Sequence, residues 1–120
     1  MSHTSDINLK INSIEALRRV CDKLGWEMNE NGSATFYDGK KRDGITVKLP
    51  GWRYAVVINR EEGKVLFDNY NGSWGNIKHL NKLKAHYAIE YGKIQARRMG
   101  YTTVYQENNE GELVLTVNVE

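Results

Sequence analysis

The order of apolar and polar positions divides the chain into two helices and a series of short strands. Residues 7–11 alternate between apolar and polar side chains, which is the period of a half-buried strand. From residue 13 to residue 24 the apolar positions recur every three or four residues, which predicts a helix. We place its N-cap at Asn12, with Glu15 completing a capping box, and its end at Gly25.

Short β-prone runs fill the middle of the chain, each bounded by turn-forming residues. A strand is predicted to begin at residues 26–28, with Asn31-Gly32 as the turn after it. Further runs lie at residues 34–37, 45–49, 53–59 and 64–69, separated by Asp38-Gly39, Asp43-Gly44, Pro50-Gly51 and Glu62-Gly63. Strands at this spacing, with turn residues between them, predict an antiparallel meander.

The longest periodic segment predicts a second helix from Ile77 to Met99, with Gly100 as its stop. At about 100° per residue, its apolar side chains fall on one contiguous arc. The arc comprises Ile77, Leu80, Leu83, Tyr87, Ala88, Tyr91 and Ile94. We expect this arc to lie on the sheet.

Two more β-prone runs close the chain and complete the predicted architecture. Residues 101–107 and 112–119 form a hairpin, in which alternate apolar residues from Leu113 to Val119 define one buried strand face. The order β-α-β-meander-α-β-β predicts an α+β fold. Its mostly antiparallel sheet has about six to seven strands, and both helices pack on one face. A length of 120 residues has room for one domain, spanning residues 1–120.

Composition indicates a protein of a reducing compartment. Cys21 is the single cysteine, so the chain can form no internal disulfide and no thiolate metal cluster. The N-terminal residues lack the apolar run of a signal peptide, and no stretch approaches the ~20 apolar residues that span a bilayer. These features predict a cytoplasmic protein without membrane association.

The small net charge of +2 conceals an uneven distribution. Residues 76–99 contain six basic side chains and only one acidic side chain, Glu90, whereas the rest of the chain is mildly acidic. The cations and histidines at Lys78, His79, Lys82, His86, Lys93 and Arg97 fall within about a third of the helix circumference, opposite the apolar arc. Three interpretations remain open: a solvated outer face, a surface that follows a phosphate backbone, or a surface for an acidic protein.

Residues 68–75 combine aromatic, amide and glycine residues in one predicted loop. If exposed, Tyr70 and Trp74 could stack on a nucleic-acid base or anchor a protein interface. The structural alternative, which we prefer for the loop itself, is that Trp74 packs under the long helix as a plug.

No motif for catalysis or cofactor binding is present. The chain contains neither a phosphate-binding loop with a following Lys-Ser or Lys-Thr pair nor a Gly-x-Ser-x-Gly elbow. Cys21 lies among apolar residues of the first helix, which predicts core packing rather than a reactive thiolate. His79 and His86 are two helical turns apart, so they do not form a metal site with converging ligands. We therefore predict no catalytic residue, no metal and no cofactor.

Several short segments resemble one known family. The start from Met1 to Ile7, the Glu15-Ala16-Leu17 helix start, the Leu24-Gly25-Trp26 segment and the later Gly100-Tyr101 pair are similar to the hypothetical chloroplast reading frame 35 family, also catalogued as a domain of unknown function. Its members occur in plastids, cyanobacteria, other bacteria and phages. The resemblance implies no agreed activity, and it implies a stromal location only for plastid-encoded relatives. The divergent middle and the Asn118-Val119-Glu120 ending suggest a bacterial or phage-borne member.

The sequence thus favours a non-catalytic binding protein. The leading hypothesis is a protein–protein adaptor that uses the long helix and the aromatic loop; its partner-binding residues are Lys78, Lys82, His86, Lys93, Arg97, Tyr70 and Trp74. The alternative is nucleic-acid or nucleotide binding through the basic helix face, with Tyr70 or Trp74 stacking on a base.

Overall fold

The computed structural model of the chain describes residues 10–109 and 112–119. Within these ranges the elements are α1 (Ile14–Leu24), β1 (Glu27–Thr35), β2 (Lys41–Lys48), β3 (Val56–Ile58), β4 (Val65–Leu66), α2 (Ile77–Arg98), β5 (Thr102–Glu107) and β6 (Leu113–Asn118). This confirms the predicted α+β class, with two helices and antiparallel strands.

The strands form two sheets, so the predicted single sheet is wrong. β1, β2, β3 and β4 pair in that order in a four-stranded sheet, while β5 and β6 form a separate two-stranded sheet. The six strands of the described residues fall at the lower end of the predicted range. The separation follows from α2, which lies between the two sheets and contacts the β5–β6 hairpin directly. A hairpin packed on a helix needs no pairing with another sheet to bury one face.

The first helix begins one residue later than predicted. Ser13, not Asn12, is the N-cap, because its hydroxyl accepts a hydrogen bond from the backbone N–H of Ala16 at 3.1 Å. The helix ends as expected at Gly25, which adopts the left-handed conformation with φ of 74°. The strand predicted over residues 7–11 lies mostly outside the described residues; Ile11 itself is buried but not in a strand.

Two predicted turns lie inside strands. Asn31-Gly32 belongs to β1, at a shift in the β1–β2 register, and Asp43-Gly44 belongs to β2. Gly44 is required there by close packing rather than by a turn, because a Cβ atom would lie 2.5 Å from the carbonyl oxygen of Ile58 in β3. Asn31-Gly32 therefore corresponds to a bulge and Asp43-Gly44 to a close approach of two backbones. Both features favour the same residue types as turns.

One hydrophobic core joins α1, α2 and the inner face of the four-stranded sheet. Its buried members are Ile11, Ala16, Leu17, Val20, Cys21, Ile45, Val47, Leu49, Trp52, Val56, Ile58, Leu80, Leu83, Tyr87 and Ile94. Tyr87 also links the helices by hydrogen bonding, since its hydroxyl accepts from the backbone N–H groups of Asn12 at 3.1 Å and Ser13 at 2.9 Å. The helices therefore pack on the sheet, as predicted.

The long helix has a second buried face that its sequence does not reveal. His86, Ile89, Glu90 and Ala96 are buried on the side of α2 nearest the hairpin, where Lys93 lies beside Tyr105 of β5. In contrast, three members of the predicted apolar arc are exposed: Ile77, Ala88 and Tyr91. The single-arc prediction is wrong because it assumed one packing partner, whereas α2 is covered from two directions.

The predicted burial along the last strand is also only partly correct. Leu113 and Leu115 are half-buried against α2, but Val117 and Val119 are 40% and 67% exposed. Leu115 packs closely against α2 at Gly92, where a Cβ atom would lie only 2.8 Å from the Leu115 Cδ2. No helix among the described residues is long and apolar enough to cross a membrane.

Candidate partner-binding site

The loop before α2 is held in one defined shape by its own hydrogen bonds. The Asn69 carbonyl accepts from the backbone N–H of Gly72 at 2.9 Å and of Trp74 at 3.0 Å. The Asn69 side chain donates to the carbonyl of Gly75 at 3.1 Å. Trp52 anchors the loop to the core, because a side chain on Gly75 would overlap its indole ring. The loop is thus a rigid platform.

Two residues of this loop, Tyr70 and Asn71, have a strained backbone conformation although Tyr70 is exposed. Tyr70 and Asn71 have φ values of 46° and 54°, in the left-handed region that bulky residues seldom adopt. Such conformations persist only where the surroundings hold them, and they are concentrated at functional sites. The Tyr70 side chain is 61% exposed, so its strain does not serve core packing.

Four aromatic rings meet on this platform, and we call Tyr37, Tyr54, Tyr70 and Trp74 the aromatic cluster. Trp74 is at its centre. Its ring stacks on Tyr70 with centroids 4.7 Å apart, and it contacts Tyr37 at 5.3 Å and Tyr54 at 5.8 Å. Such pairs stabilise each other by about 0.5–1.5 kcal/mol beyond their burial. Since Tyr37 is 72% exposed, the cluster presents a broad aromatic surface to solvent.

The cluster overturns the structural interpretation of Trp74 as a plug under α2. Trp74 is half-buried and lies outside the hydrophobic core, packed against the tyrosines. The indole that meets the start of α2 is that of Trp52, whose Nε1 donates to the carbonyl of Asn76 at 3.1 Å. A tryptophan does pack at the start of α2, as predicted, but it is Trp52 and not Trp74.

Arginines border the aromatic cluster. The Arg53 guanidinium lies 4.8 Å from the centroid of the Trp74 ring and 5.6 Å from that of Tyr54. Arg53 makes no ion pair among the described residues. A guanidinium stacked on aromatic rings keeps its in-plane donors available for a carboxylate or phosphate. Arg42 stacks similarly on Phe36, but its donors are used by Asp38, whose pKa they lower strongly.

The predicted basic face of α2 is interrupted in its middle. Lys78, Lys82 and Arg97 are exposed, as expected for a binding surface. His86 is buried, and Lys93 is half-buried, with its ammonium 3.2 Å from Glu90 and 4.8 Å from the ring of Tyr105. These two residues therefore do not belong to an exposed cationic surface, because the β5–β6 hairpin lies across them.

Histidines on this face are involved in packing. His79 makes an edge contact with Trp26, with centroids 6.3 Å apart. Burial lowers the pKa of His86, and the nearby charges of Lys23 and Lys82 lower it further, against the opposing effect of Glu107 and Glu90. His86 is thus favoured in its neutral form and adds no charge to the helix surface at neutral pH.

Two open depressions adjoin these surfaces. The loop cleft, of about 450 Å³, is lined by Phe67, Asn69, Asn71, Gly72, Asn76 and Ile77. The hairpin groove, of about 830 Å³, lies between α2 and the β5–β6 hairpin and includes Lys78, Lys82, His86, Glu107 and Glu112. The loop cleft borders the platform of the aromatic cluster, and its amide-rich lining offers both hydrogen-bond donors and acceptors.

Sequence reasoning found Tyr70 and Trp74 but missed three of their neighbours. Tyr37 lies in the β1–β2 turn, and Arg53 and Tyr54 precede β3, so all three are distant in sequence. Their spacing carried no signal.

Within residues 10–109 and 112–119, neither the cysteine nor a cluster of metal-binding side chains forms a second site. Cys21 is buried in the core, as predicted, and burial raises the pKa of its thiol to about 11. Among the described residues, no group of three His, Cys, Asp or Glu side chains converges on a metal position.

Comparison with known proteins yields no relative. The chain matches no protein-family model, no curated protein and no solved structure. The resemblance to the hypothetical chloroplast reading frame 35 family therefore stays a prediction.

Proposed function

We propose that this protein is a non-catalytic adaptor that binds another protein through the aromatic cluster. The observation that carries the proposal is the packing of three tyrosine rings around Trp74, with Tyr37 and Tyr70 largely exposed. Rigid aromatic side chains are enriched at the centres of protein interfaces, because they bury a large area while losing little conformational entropy.

The chemistry of the surface suggests what the partner presents. Arg53 places a cation with free donors at the border of the cluster, so an acidic side chain beside an apolar one would match it. The loop cleft beside the cluster could receive a further side chain or backbone amide of the partner.

The test compares the cellular proteins captured by the immobilised protein with those captured by its Tyr37→Ala and Tyr70→Ala variants, quantified by mass spectrometry. Both tyrosines are more than half exposed, so their removal should leave the fold intact. A hot-spot loss of about 2 kcal/mol would lower affinity roughly thirtyfold. Met99→Ala is a matched control, because Met99 is 67% exposed at the far end of α2. Partners retained equally by both tyrosine variants and the wild type would refute the proposal.

Nucleic-acid binding is the second candidate, favoured by cations close to the aromatic cluster. Lys78 and Lys82 are exposed on the first two turns of α2, which begins three residues after Trp74. Bases stacking on Tyr70 would leave their phosphates within reach of these lysines. The buried middle of the helix face limits this surface to its N-terminal half. Arg97 belongs to a separate patch, roughly 22–28 Å from the two lysines along the helix axis.

Fluorescence anisotropy with single-stranded and double-stranded oligonucleotides separates the two candidates. A nucleic-acid binder should bind at low salt and lose affinity as salt rises. Lys78→Ala/Lys82→Ala should reduce the slope of log affinity against log salt by about two, whereas Arg97→Ala should leave it unchanged. No binding at low salt would exclude this candidate, because electrostatic attraction is strongest there.

A further inference from the structure

Within the described part of the chain, the outer edge of β6 is uncovered by any strand. Among the described residues, this edge pairs with no other strand, so alternate backbone N–H and C=O groups point outward. The strand has the sequence LVLTVN, without charge or proline, and its ladder with β5 is continuous and free of bulges. Natural proteins normally block such an edge, because it can recruit another strand.

Both edges of the four-stranded sheet are short or interrupted. β1 is interrupted by a register shift between Asn29 and Gly32, and its carbonyl at Glu30 accepts a hydrogen bond from Arg60 at 2.7 Å. The opposite edge, β4, contains only two residues.

The outer edge of β5 is also unpaired among the described residues, but β5 ends in the charged Glu107, and Lys23 and Lys93 lie over its Tyr105 ring. β6 is therefore the uncharged edge of the two-stranded sheet and the one suited to recruit another strand.

Exposed apolar residues of α2 lie on the same side of the molecule as this edge. Lys93 contacts β5, and Gly92 contacts β6. Successive residues of a helix are about 100° apart around its axis. Going round α2 in one direction, Lys93 faces β5, Gly92 faces β6, and Ala88 and Tyr91 come next, beyond β6. Ala88 is exposed, and Tyr91 is 41% exposed although it was predicted to lie in the core. An apolar helix stripe and an open strand edge are thus adjacent.

We propose that a second copy of this chain occupies this edge, with β6 pairing antiparallel to β6 of its partner. Antiparallel pairing about a two-fold axis is self-complementary, so one surface serves both copies. It would create a four-stranded sheet in which each copy contributes two strands, about 4.8 Å apart. The two α2 helices would then lie about 10 Å apart on one face, which is the usual distance between packed helices.

The absence of charge on the strand favours a second copy over another partner. A residue at the two-fold axis meets its own counterpart, so a charge there would face a like charge. Thr116 lies beside the centre of β6, so a pairing centred on this strand places it at or next to the axis. Six paired residues alone give a small contact compared with the ~1,600 Å² of a standard interface. Burial of the Ala88 and Tyr91 stripe against its counterpart would supply further apolar area. This proposal does not depend on the aromatic cluster, which lies elsewhere.

The test uses the full chain and its mass in solution, measured by sedimentation equilibrium over roughly a hundredfold range of concentration. The wild type should approach twice the chain mass of 13.8 kDa. Thr116 is exposed in the middle of β6, so Thr116→Lys and Thr116→Glu should each weaken the dimer by roughly tenfold or more without unfolding the chain. Circular dichroism checks the fold of each variant.

Mixing the two variants provides the decisive measurement. Thr116→Lys and Thr116→Glu chains should recover the dimer when combined, because unlike charges then face each other across the axis. Val104→Lys is the matched control: Val104 pairs directly with Thr116 on the same face, but one strand further from the axis. It should remain dimeric at physiological salt, where the two added lysines lie beyond the ~8 Å screening length.

Either of two results would overturn the proposal. One is a wild-type chain that stays monomeric over the whole concentration range. The other is a dimer that neither Thr116 variant weakens, since its interface would then lie elsewhere in the molecule.

Discussion

The two buried faces of α2 differ in what they bury. Towards α1 and the four-stranded sheet, the helix presents Leu80, Leu83 and Ile94, which are at most 5% exposed. Towards the β5–β6 hairpin it presents His86 and Glu90, which are equally well covered but polar or ionisable. The first face is an ordinary hydrophobic core. The second is a packed surface whose charges and hydrogen bonds must be balanced by specific neighbours.

The difference shows that burial alone does not identify a core. On the hairpin face, Lys93 provides the counter-ion of Glu90 and lies against the ring of Tyr105, while Lys23 from α1 approaches the same ring at 4.3 Å. The hairpin is therefore attached by cation–aromatic contacts at Tyr105 and by the packing of Leu115 against Gly92, while the Lys93–Glu90 ion pair lies within α2 itself. We expect the two faces to respond differently to mutation.

The largest effect should come from the core face. Leu83→Ala removes a fully buried side chain and should lower the free energy of unfolding by about 2–5 kcal/mol. Ile89→Ala on the hairpin face should cost less, because Ile89 is 8% exposed at the border of an open groove. Urea unfolding followed by circular dichroism measures both values. Equal losses would show that the hairpin face packs as a second core.

An intermediate effect should follow removal of Lys93, the counter-ion of the buried Glu90. Lys93→Met should destabilise the fold by about 1–3 kcal/mol, since the Glu90 carboxylate, 8% exposed, would lose its cation. Glu90→Gln/Lys93→Met should lose less than the single variant, because no uncompensated charge remains buried. Lys82→Met, at an exposed position of the same helix, is the control and should change stability little. A single variant as stable as the wild type would mean that water already compensates Glu90.

The smallest effect should appear in the pH dependence of stability. The pKa of His86 is lowered from its ordinary value of 6.5, chiefly by burial, so the unfolded chain binds the proton more readily than the folded one. Stability should therefore fall as the pH decreases below about 6.5. In His86→Gln this part of the pH dependence should be absent, whereas the contribution of the carboxylates should remain. Unfolding curves of both proteins between pH 8 and 5 provide the comparison.

Much of the local structure could be read from the sequence. Both helices, the left-handed end of α1 at Gly25 and the final hairpin were predicted close to their observed bounds. These features depend on periodicity and on residues with restricted backbone preferences, which act over a few positions. The α+β class followed from their order. Tyr70 and Trp74 were singled out by composition, and both lie in the exposed cluster.

The candidate site itself depended on contacts between distant segments. Tyr37 and Tyr54 join Trp74 only because the β1–β2 turn and the start of β3 meet the loop before α2. Likewise, His86 and Lys93 matched the cationic face by spacing, yet the hairpin covers them. Periodicity records which side chains share a face of a helix, but it does not record which neighbour lies against that face.

The sequence by itself determined the two helices, the final hairpin and the α+β class, because helix periodicity, capping residues and strand alternation are local properties of the chain. Only the tertiary structure decided that the strands divide into two sheets with α2 between them. That arrangement is set by the free energy of burying surfaces from distant segments. Two glycines make the close packing possible: Gly92 leaves room for Leu115 of β6, and Gly44 leaves room for the backbone of β3. The same packing left the aromatic cluster and the edge of β6 exposed, and on these two surfaces the proposals for this protein rest.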